Sequence, residues 1–495
     1  MTLERRGFIF YAPVSLFGLR RHDRLYVCEA PFEGGFSHEE GTVMDERLKA
    51  ILESHEKEFE AVSDQIWDFA EYRFQEVKSA ELQAKFLEAR GFKVTRGIGG
   101  IATAFRAERG ERGPVIGFLG EYDALPDLSQ KADCAEESPL LPGACGHGCG
   151  HHLLGSGSME AACALAEYLR ESGEPGTVVY FGCPAEESGA GKAFMVREGC
   201  FDGVDFCLTW HPNVYNGLMC RSLANARVIF TFSGVASHAA AAPEKGRSAL
   251  DSCEIMSVGV NYLREHVSAD VRMHYAYLDA GGTAPNVVQP HAAVLYALRA
   301  PETAQVQEVY GRVLDVARGA ALICGTKVEA QVVSAYANTL VPKSLGELAH
   351  RCVKEAVAEV TYTPAEEAYA EKFVRVGSQP GAKTALDRGV EDPAAAGMGG
   401  STDVGDVSWV VPTMGIYATT YAAGTVMHGW TAVAQGRSSI AKKGMHTAAK
   451  AMSAIAMEIL RRPELREQIK KDFETVKDGR VYKTLIPDSM KPGMF

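Results

Sequence analysis

The sequence predicts an α/β protein in which a mixed, mainly parallel sheet carries a smaller domain as an insertion. Three observations support this prediction. Short apolar segments alternate with helical segments through residues 44–225. The order then changes to β-α-β-β-α-β, which is the order of a ferredoxin-like unit. The chain has 495 residues, of which 46% are hydrophobic, so it is long enough for two domains with a large core.

The first domain begins with helical periodicity, which runs from Met44 to about Gly91. Short apolar strands and helices alternate after it. The predicted elements are strands at Val115–Leu119, Thr177–Phe181 and Phe206–Thr209, helices at His152–Arg170 and Lys192–Glu198, and a late strand at Gly415–Thr419. Alternation of this kind is typical of a parallel sheet with helical connections.

The inserted domain is predicted at residues 226–334. Its elements are strands at Ala226–Phe232, Val271–Leu278, Ala292–Leu298 and Lys327–Val333, and helices at Arg247–His266 and Thr303–Leu322. Residues 44–225 and 335–495 then form the main domain, which the chain leaves and re-enters. Residues 1–43 are expected to be a mobile N-terminal extension, or the result of a start assigned upstream of Met44.

The composition excludes several classes of function. Acidic residues outnumber basic ones by 63 to 51, and the net charge of −12 repels phosphate backbones and anionic lipids. We therefore expect no nucleic-acid partner and no membrane association. No apolar segment reaches the roughly 18 residues that a transmembrane helix needs. The 12 cysteines are too sparse for a disulfide framework, which favours a reducing, cytoplasmic location.

Residues with chemical potential follow the predicted strands. Asp123 comes just after the first strand, where a parallel sheet gathers its ligand-binding groups, although a polar turn before Pro126 is an alternative. His211 ends the third strand, and His428 follows the late one. A single histidine is more often structural than a ligand. The repetition of such residues at successive strand ends is what predicts a shared site.

The segment 144–152 is the richest in metal-binding side chains. Cysteine and histidine are donors that suit zinc and similar ions, and the intervening glycines let the backbone bring two side chains to one point. The spacing permits either Cys145 with His147 or Cys149 with His151 as the functional pair. A structural zinc site using all four residues would be unusually compressed, because such sites draw their ligands from two separated pairs.

Two adjacent acids, Glu186 and Glu187, end the second strand. Neighbouring side chains in an extended segment point in opposite directions. One carboxylate can therefore bind a metal while the other faces the substrate as a general base. The alternative is a pair of solvated acids that open a loop.

Together these segments resemble the M20 metallopeptidase and amidohydrolase family, in its amino-acid amidohydrolase branch. The resemblance runs from about residue 50 to 485. The matching segments are Trp67–Glu76, GEYDALP at 120–126, GHGCGH at 146–151, GCPAEE at 182–187, TWHP at 209–212, Ser237–Ala240, Pro285–Val288, Leu298–Ala300, STDVGDVSW at 401–409 and His428. Their number and order make the resemblance specific.

The resemblance implies two divalent metal ions per subunit, Mn²⁺ or Zn²⁺, in the main domain. The implied metal ligands are Cys149, which would bridge the ions, and His151, Glu187, His211 and His428. The Cys149/His151 register is preferred because Leu153-Leu154-Gly155 follows it, as in the family. Glu186 would be the general base that takes a proton from a metal-bound water, and Asp123 would orient a ligand.

The family also implies roles for the inserted domain, as a lid and dimerisation domain whose residues reach an active site. His238 resembles the histidine that stabilises the tetrahedral oxyanion, and Asn286 and Arg299 resemble contacts to a substrate carboxylate. A homodimer is implied, or a heteromer with a related subunit. His152 departs from the family, which usually has Asp or Asn there, and His147 has no assigned role.

The implied activity is hydrolysis of the amide bond of an N-acyl or N-aroyl amino acid, with p-aminobenzoyl-glutamate as the model substrate. An indole-acetyl-aspartate conjugate, another acyl amino acid or a small dipeptide is the alternative substrate. A function of another class is a non-catalytic, metal-binding partner subunit. The retention of Glu186 with the full ligand set argues against that alternative.

Overall fold

The computed structural model describes residues 44–378, 382, 384–394 and 400–494. The extension predicted at residues 1–43 lies outside the described residues. The strands are β1 (Lys93–Arg96), β2 (Phe105–Arg109), β3 (Val115–Glu121), β4 (Thr177–Cys183), β5 (Phe206–Asn213), β6 (Gly217–Leu218), β7 (Ala224–Ser233), β8 (Arg272–Asp279), β9 (His291–Ala300), β10 (Lys327–Tyr336) and β11 (Thr413–Thr419).

Helices occupy much of the remaining described chain. They are α1 (Glu46–Phe69), α2 (Val77–Ala89), α3 (His151–Ser172), α4 (Glu186–Gly189), α5 (Gly191–Arg197), α6 (Ala249–Leu263), α7 (Thr303–Cys324), α8 (Lys343–Ala358), α9 (Pro364–Val376), α10 (Val404–Ser408), α11 (Trp430–Gln435), α12 (Ser439–Arg461) and α13 (Pro463–Lys477). Within the described residues, none of them combines the length and the apolar character that a bilayer crossing requires.

The main sheet has seven strands in the order β1-β2-β4-β3-β5-β11-β6. Its four central strands, β4, β3, β5 and β11, are parallel, and the edge strands pair antiparallel. The prediction of a mixed α/β fold with a mostly parallel central sheet is confirmed. The antiparallel edge was not predicted, because β1 is short and mostly exposed and carries charged residues at both ends.

Close packing of α3 against the sheet determines where the site forms. This helix is buried along most of its length and contacts β3, β4 and β5. Its small residues allow the approach, since a Cβ atom at Gly155 would lie 2.5 Å from the carbonyl oxygen of Glu121. The first turn of α3, which contains His151, is therefore held at the carboxyl end of β3.

A second sheet is built by residues 224–336, with the order β10-β7-β9-β8 and antiparallel pairing throughout. Along the chain its elements follow the order β7-α6-β8-β9-α7-β10. Residues such as Val228, Phe230 and Tyr296 on one face of this sheet pack with α6 and α7. The last strand reaches the main domain, where the hydroxyl of Tyr336 donates to the main-chain oxygen of Glu186 at 3.1 Å.

A buried ion pair joins three helices of the main domain. Nδ1 of His446 in α12 lies 2.8 Å from a carboxylate oxygen of Glu160 in α3, and its Nε2 lies 3.5 Å from Glu60 in α1. Burial lowers the pKa of His446, but the two carboxylates outweigh burial and raise it to about 10. The histidine is therefore charged at neutral pH and offsets the buried charge of Glu160.

We predict that His446→Gln lowers the free energy of unfolding at pH 7 by about 3–5 kcal/mol, because it leaves Glu160 buried without a counter-charge. A histidine with a raised pKa stabilises the folded state below its usual pKa of 6.5 and loses this effect as the pH rises through about 10. The difference between parent and variant should therefore shrink over that interval. Urea unfolding at pH 7 and pH 10 measures it.

The matched control is His291→Gln, which removes a histidine from the exposed pair with Asp279. It should change the free energy of unfolding little at either pH. A His446→Gln effect that is equally large at both pH values would show that the histidine contributes through packing and not through its charge.

Candidate active site and metal centre

The candidate site lies at the carboxyl ends of the central parallel strands. Because β3, β4, β5 and β11 run in the same direction, the segments that follow them meet at one edge of the sheet. The loop before α3 joins them there. These segments bring together the predicted residues Asp123, Cys149, His151, Glu186, Glu187, His211 and His428.

The thiol of Cys149 is shared by two groups of possible metal ligands. Its Sγ lies 3.3 Å from Nε2 of His211 and 3.3 Å from Nε2 of His428. With His151 and His211 it forms one group, and with Glu187 and His428 it forms the other. Within each group the donor atoms lie within 4.8 Å of one another. One sulfur atom thus stands between two places that could each hold a cation.

The carboxylate of Asp123 connects the two groups. One of its oxygens lies 2.8 Å from Nδ1 of His151, and the other accepts a hydrogen bond from the backbone N–H of Glu187 at 2.8 Å. Burial raises the pKa of Asp123, but the charge and hydrogen bond of His151 outweigh burial and lower it. Asp123 therefore acts as an ionised anchor that orients one donor from each group.

The histidines present Nε2 towards the sulfur because their Nδ1 atoms are engaged elsewhere. Nδ1 of His211 donates to the carbonyl oxygen of Pro212 at 2.8 Å, as Nδ1 of His151 does to Asp123. Burial lowers the pKa of His151, but the charges of Cys149 and Asp123 outweigh it and raise that pKa well above its usual value. Nε2 of His151 therefore attracts positive charge, whether a proton or a cation.

Two buried donor atoms support a metal in this place. Nε2 of His151 and Oε1 of Glu187 make no hydrogen bond to any described residue. The nearest groups are Glu121, 3.2 Å from Nε2 of His151, and His428, 3.1 Å from Oε1 of Glu187. Buried polar atoms rarely remain unpaired, and sulfur, imidazole and carboxylate donors suit zinc or manganese. The residues present therefore fit a pair of divalent cations.

Strained backbone holds the two glutamates. Ala185 and Ser188, on either side of them, have φ angles of 59° and 63°, in the left-handed region that costs a non-glycine residue about 1–3 kcal/mol. Gly150, between the ligands Cys149 and His151, has a φ angle of 76°, and a Cβ atom there would lie 2.4 Å from the hydroxyl of Tyr421. Glycine is therefore required at this turn.

The two adjacent glutamates have different environments. Burial, with the negative charges of Glu121 and Glu187, raises the pKa of Glu186 well above its usual value. Burial also raises the pKa of Glu187, but the contact with His428 and the charge of His151 outweigh it and lower that pKa. One carboxylate therefore favours accepting a proton, and the other favours remaining ionised beside the histidines.

A buried lysine lies beneath the site and was not among the predicted residues. Nζ of Lys192 lies 2.5 Å from Glu121 and 2.5 Å from Asp403, and all three side chains are buried. The backbone N–H of Lys192 also donates to Asp403 at 2.8 Å. A lysine within the apolar segment 190–195 was the signal in the sequence, because a cation among buried residues requires a partner.

The predicted lid residues do not join the Cys149 groups. His238 and Asn286 are exposed and lie on neighbouring loops, joined by the hydrogen bond from the backbone N–H of Ala239 to the main-chain oxygen of Asn286. Nδ1 of His238 accepts hydrogen bonds from Ala240 and Ala241, which leaves its Nε2–H as a donor. Arg299 is half-buried on β9.

The remaining histidines of the loop anchor it to the main domain. Nε2 of His147 lies 3.0 Å from the carbonyl oxygen of Ile66, and Nε2 of His152 lies 2.9 Å from that of Gly436. Burial lowers the pKa of both, that of His147 to about 4, so both are neutral. Among the described residues neither belongs to a group that could hold a metal.

Comparison with known proteins agrees with the predicted likeness to p-aminobenzoyl-glutamate hydrolase. That enzyme has two related subunits in Escherichia coli (strain K12), and both match. The chain is 41% identical over 467 residues to the larger match, covering 89% of this chain and 97% of the relative. It is 31% identical over 246 residues to the other, covering 46% and 54%. It is 28% identical over 466 residues to the Xaa-Arg dipeptidase of Homo sapiens, covering 90% and 96%.

Solved structures share the fold. An aminobenzoyl-glutamate utilization protein from Klebsiella pneumoniae matches with a TM-score of 0.57 at 19% identity, covering 84% of this chain and 98% of that one. A dinuclear metal-binding peptidase of the M20 family from Bacillus subtilis matches with a TM-score of 0.54 at 17% identity, covering 83% and 99%. The family model for peptidase family M20/M25/M40 matches residues 117–429. With its strand-end site and these relatives, the chain belongs to the M20/M25/M40 family and is a hydrolase of amide bonds.

Proposed function

We propose that this hydrolase is metal-dependent and cleaves the amide bond of an N-acyl or N-aroyl amino acid of the p-aminobenzoyl-glutamate type. The observation that carries the proposal is the thiol of Cys149, shared by two ligand groups beside the carboxylate of Glu186. The 41% identity to a p-aminobenzoyl-glutamate hydrolase subunit supports the choice of substrate. The 28% identity to Xaa-Arg dipeptidase makes a dipeptide the alternative.

Two divalent cations, Mn²⁺ or Zn²⁺, would be held at this site. Cys149, His151 and His211 would hold one, and Cys149, Glu187 and His428 the other. When bound, such ions supply Lewis acidity towards a carbonyl oxygen and lower the pKa of water. Asp123 keeps both sets of donors in place through its contacts with His151 and the backbone of Glu187.

Glu186 would be the general base. Its carboxylate is buried, lies 4.0 Å from Nε2 of His151 and has a raised pKa, so it binds a proton readily. It takes a proton from the attacking water and returns it to the nitrogen of the leaving amine, a contribution of roughly 10²–10⁴ in rate. Asp123 is unsuited to that task because both of its oxygens already accept hydrogen bonds.

Residues 226–334 would form a ferredoxin-like lid and dimerisation domain, with residues 44–225 and 335–495 as the catalytic domain. The free Nε2–H of His238 is suited to stabilise an oxyanion, and the guanidinium of Arg299 to bind a substrate carboxylate. Asn286 would contact the same substrate. Because His238 and Asn286 are exposed, they would act on the active site of a neighbouring subunit.

The partner would bind at the free edge of the second sheet. Strand β8 has no neighbour on its outer side among the described residues, and its side chains Tyr275, Tyr277 and Leu278 are exposed by 40–54%. Tyr262 on α6, exposed by 74%, adds apolar area. We propose a homodimer across this edge. A related subunit is the alternative partner, because the 41% identical relative is one of two hydrolase subunits.

Glu186→Gln should lower kcat for p-aminobenzoyl-glutamate by about 10²–10⁴, because the amide cannot accept the proton of the attacking water. The bound metal, counted by mass spectrometry, should stay unchanged, since Glu186 belongs to neither Cys149 group. The control variant is Glu136→Gln, which changes an exposed glutamate. Loss of metal together with activity would make Glu186 a ligand and refute its role as base.

The double variant Tyr262→Lys and Leu278→Lys should shift the chain from dimer to monomer, because it places two charges on the proposed interface. Light scattering after gel filtration measures the mass. Val481→Lys, at a position that is 87% exposed in the main domain, is the matched control and should remain dimeric. A parent chain that is monomeric at micromolar concentration, or a double variant that stays dimeric, would rule out a homodimer at this edge.

A further inference from the structure

The open face of the second sheet becomes polar at one end. Along β7, Ala226 and Val228 face the helices, so Asn225 and Arg227 lie on the opposite face. Ser334 pairs with Arg227 across β10, and Arg299 pairs with Asn225 across β9, so all four share this face. Further along β7 the same face carries Ile229 and Thr231.

Both arginines of this face are without a counter-charge. The side chains of Arg227 and Arg299 are half-buried and form neither a hydrogen bond nor an ion pair with any residue in the described part of the chain. They occupy diagonal positions on adjacent strands, which places their Cβ atoms roughly 7–8 Å apart. Two like charges at this spacing repel each other unless an anion lies between or beside them.

Two further polar side chains lie at the same place without partners. Oγ of Ser334 and Oδ1 of Asn225 are buried and make no hydrogen bond to described residues. The residues themselves are 0% and 2% exposed. Buried polar atoms of this kind call for a hydrogen-bonding partner that is not part of the chain. The face therefore offers two cations and two unsatisfied polar groups to one polar ligand.

This patch adjoins the catalytic carboxylate. Tyr336 pairs with Asn225 across β10, and its hydroxyl donates to the main-chain oxygen of Glu186 at 3.1 Å. Burial, with the charges of Glu186 and Asp403, raises the pKa of Tyr336, whereas the positive charge of Arg227 opposes that rise. The guanidinium of Arg227 thus lies near the end of β10 that reaches the active site.

We propose that Arg227, supported by Ser334 and Asn225, binds a second carboxylate of the substrate, on the side chain of its amino-acid half. With Arg299 on the first carboxylate, this subsite selects amides of acidic amino acids such as glutamate or aspartate. The inference rests on the proposed function, because it places the scissile amide beside Glu186. It adds a residue that determines specificity and that lies on the same chain as Glu186.

The test compares p-aminobenzoyl-glutamate with p-aminobenzoyl-glutamine, which has nearly the same shape but lacks the second charge. The parent should prefer the glutamate compound, and Arg227→Gln should reduce the ratio of the two kcat/KM values by about 10- to 100-fold, mainly through KM. Arg227→Lys should restore part of the ratio, because it keeps the charge but not the planar fork. Arg272→Gln is the control, since this arginine binds the carbonyl oxygens of Ala269 and Val271, and should keep the parent's ratio.

A calorimetric titration separates this subsite from the proposed reaction. Both compounds are titrated into Glu186→Gln and into the same variant with Arg227→Gln added, so that binding is measured without turnover. Tighter binding of the glutamate compound, lost with Arg227→Gln, supports the subsite even where the parent hydrolyses neither compound. Equal binding of the two compounds, or a preference that survives Arg227→Gln, overturns it even where hydrolysis proceeds.

Discussion

The sulfur atom of Cys149 lies between two imidazole nitrogens, each 3.3 Å away, and the arrangement of the site depends on that position. It is reached by a turn in which Gly150 takes a left-handed conformation and the backbone N–H of His428 bonds to the carbonyl oxygen of Gly148. Any shift of this turn moves a donor of both ligand groups at once. The shared sulfur therefore couples the two candidate metal positions, which would otherwise be independent.

Charge gives a second reason to expect cations here. Five carboxylates gather at or beneath the strand ends, those of Glu121, Asp123, Glu186, Glu187 and Asp403. Lys192 offsets two of them, and the histidines offset part of the remainder. Burying an excess of negative charge is costly unless a cation compensates it. Two divalent ions would supply that compensation, and the raised pKa of Glu186 shows the strain when only the chain's own groups are present.

The α/β fold could be read from the sequence because buried parallel strands and helices alternate, and Val115–Leu119 lies within β3 as expected. The metal-binding residues could be proposed because each follows a strand. The partnership of Lys192 with Glu121 and Asp403 could not, since these residues are separated by 71 and 211 positions and only the folded chain joins them. Arg227 was missed for a similar reason, because its missing counter-charge becomes visible only once the strands are paired. The roles of His147 and His152 likewise depend on carbonyl groups from distant parts of the chain.

The most direct test of the shared sulfur is zinc X-ray absorption spectroscopy on the loaded chain, combined with a metal count. The account predicts two ions per chain, one sulfur neighbour per zinc at about 2.3 Å and a zinc–zinc separation of roughly 3.5–4 Å. The Cys149→Ser variant should lose the sulfur neighbour. One ion per chain, or two ions without a sulfur neighbour, would contradict the central place of Cys149.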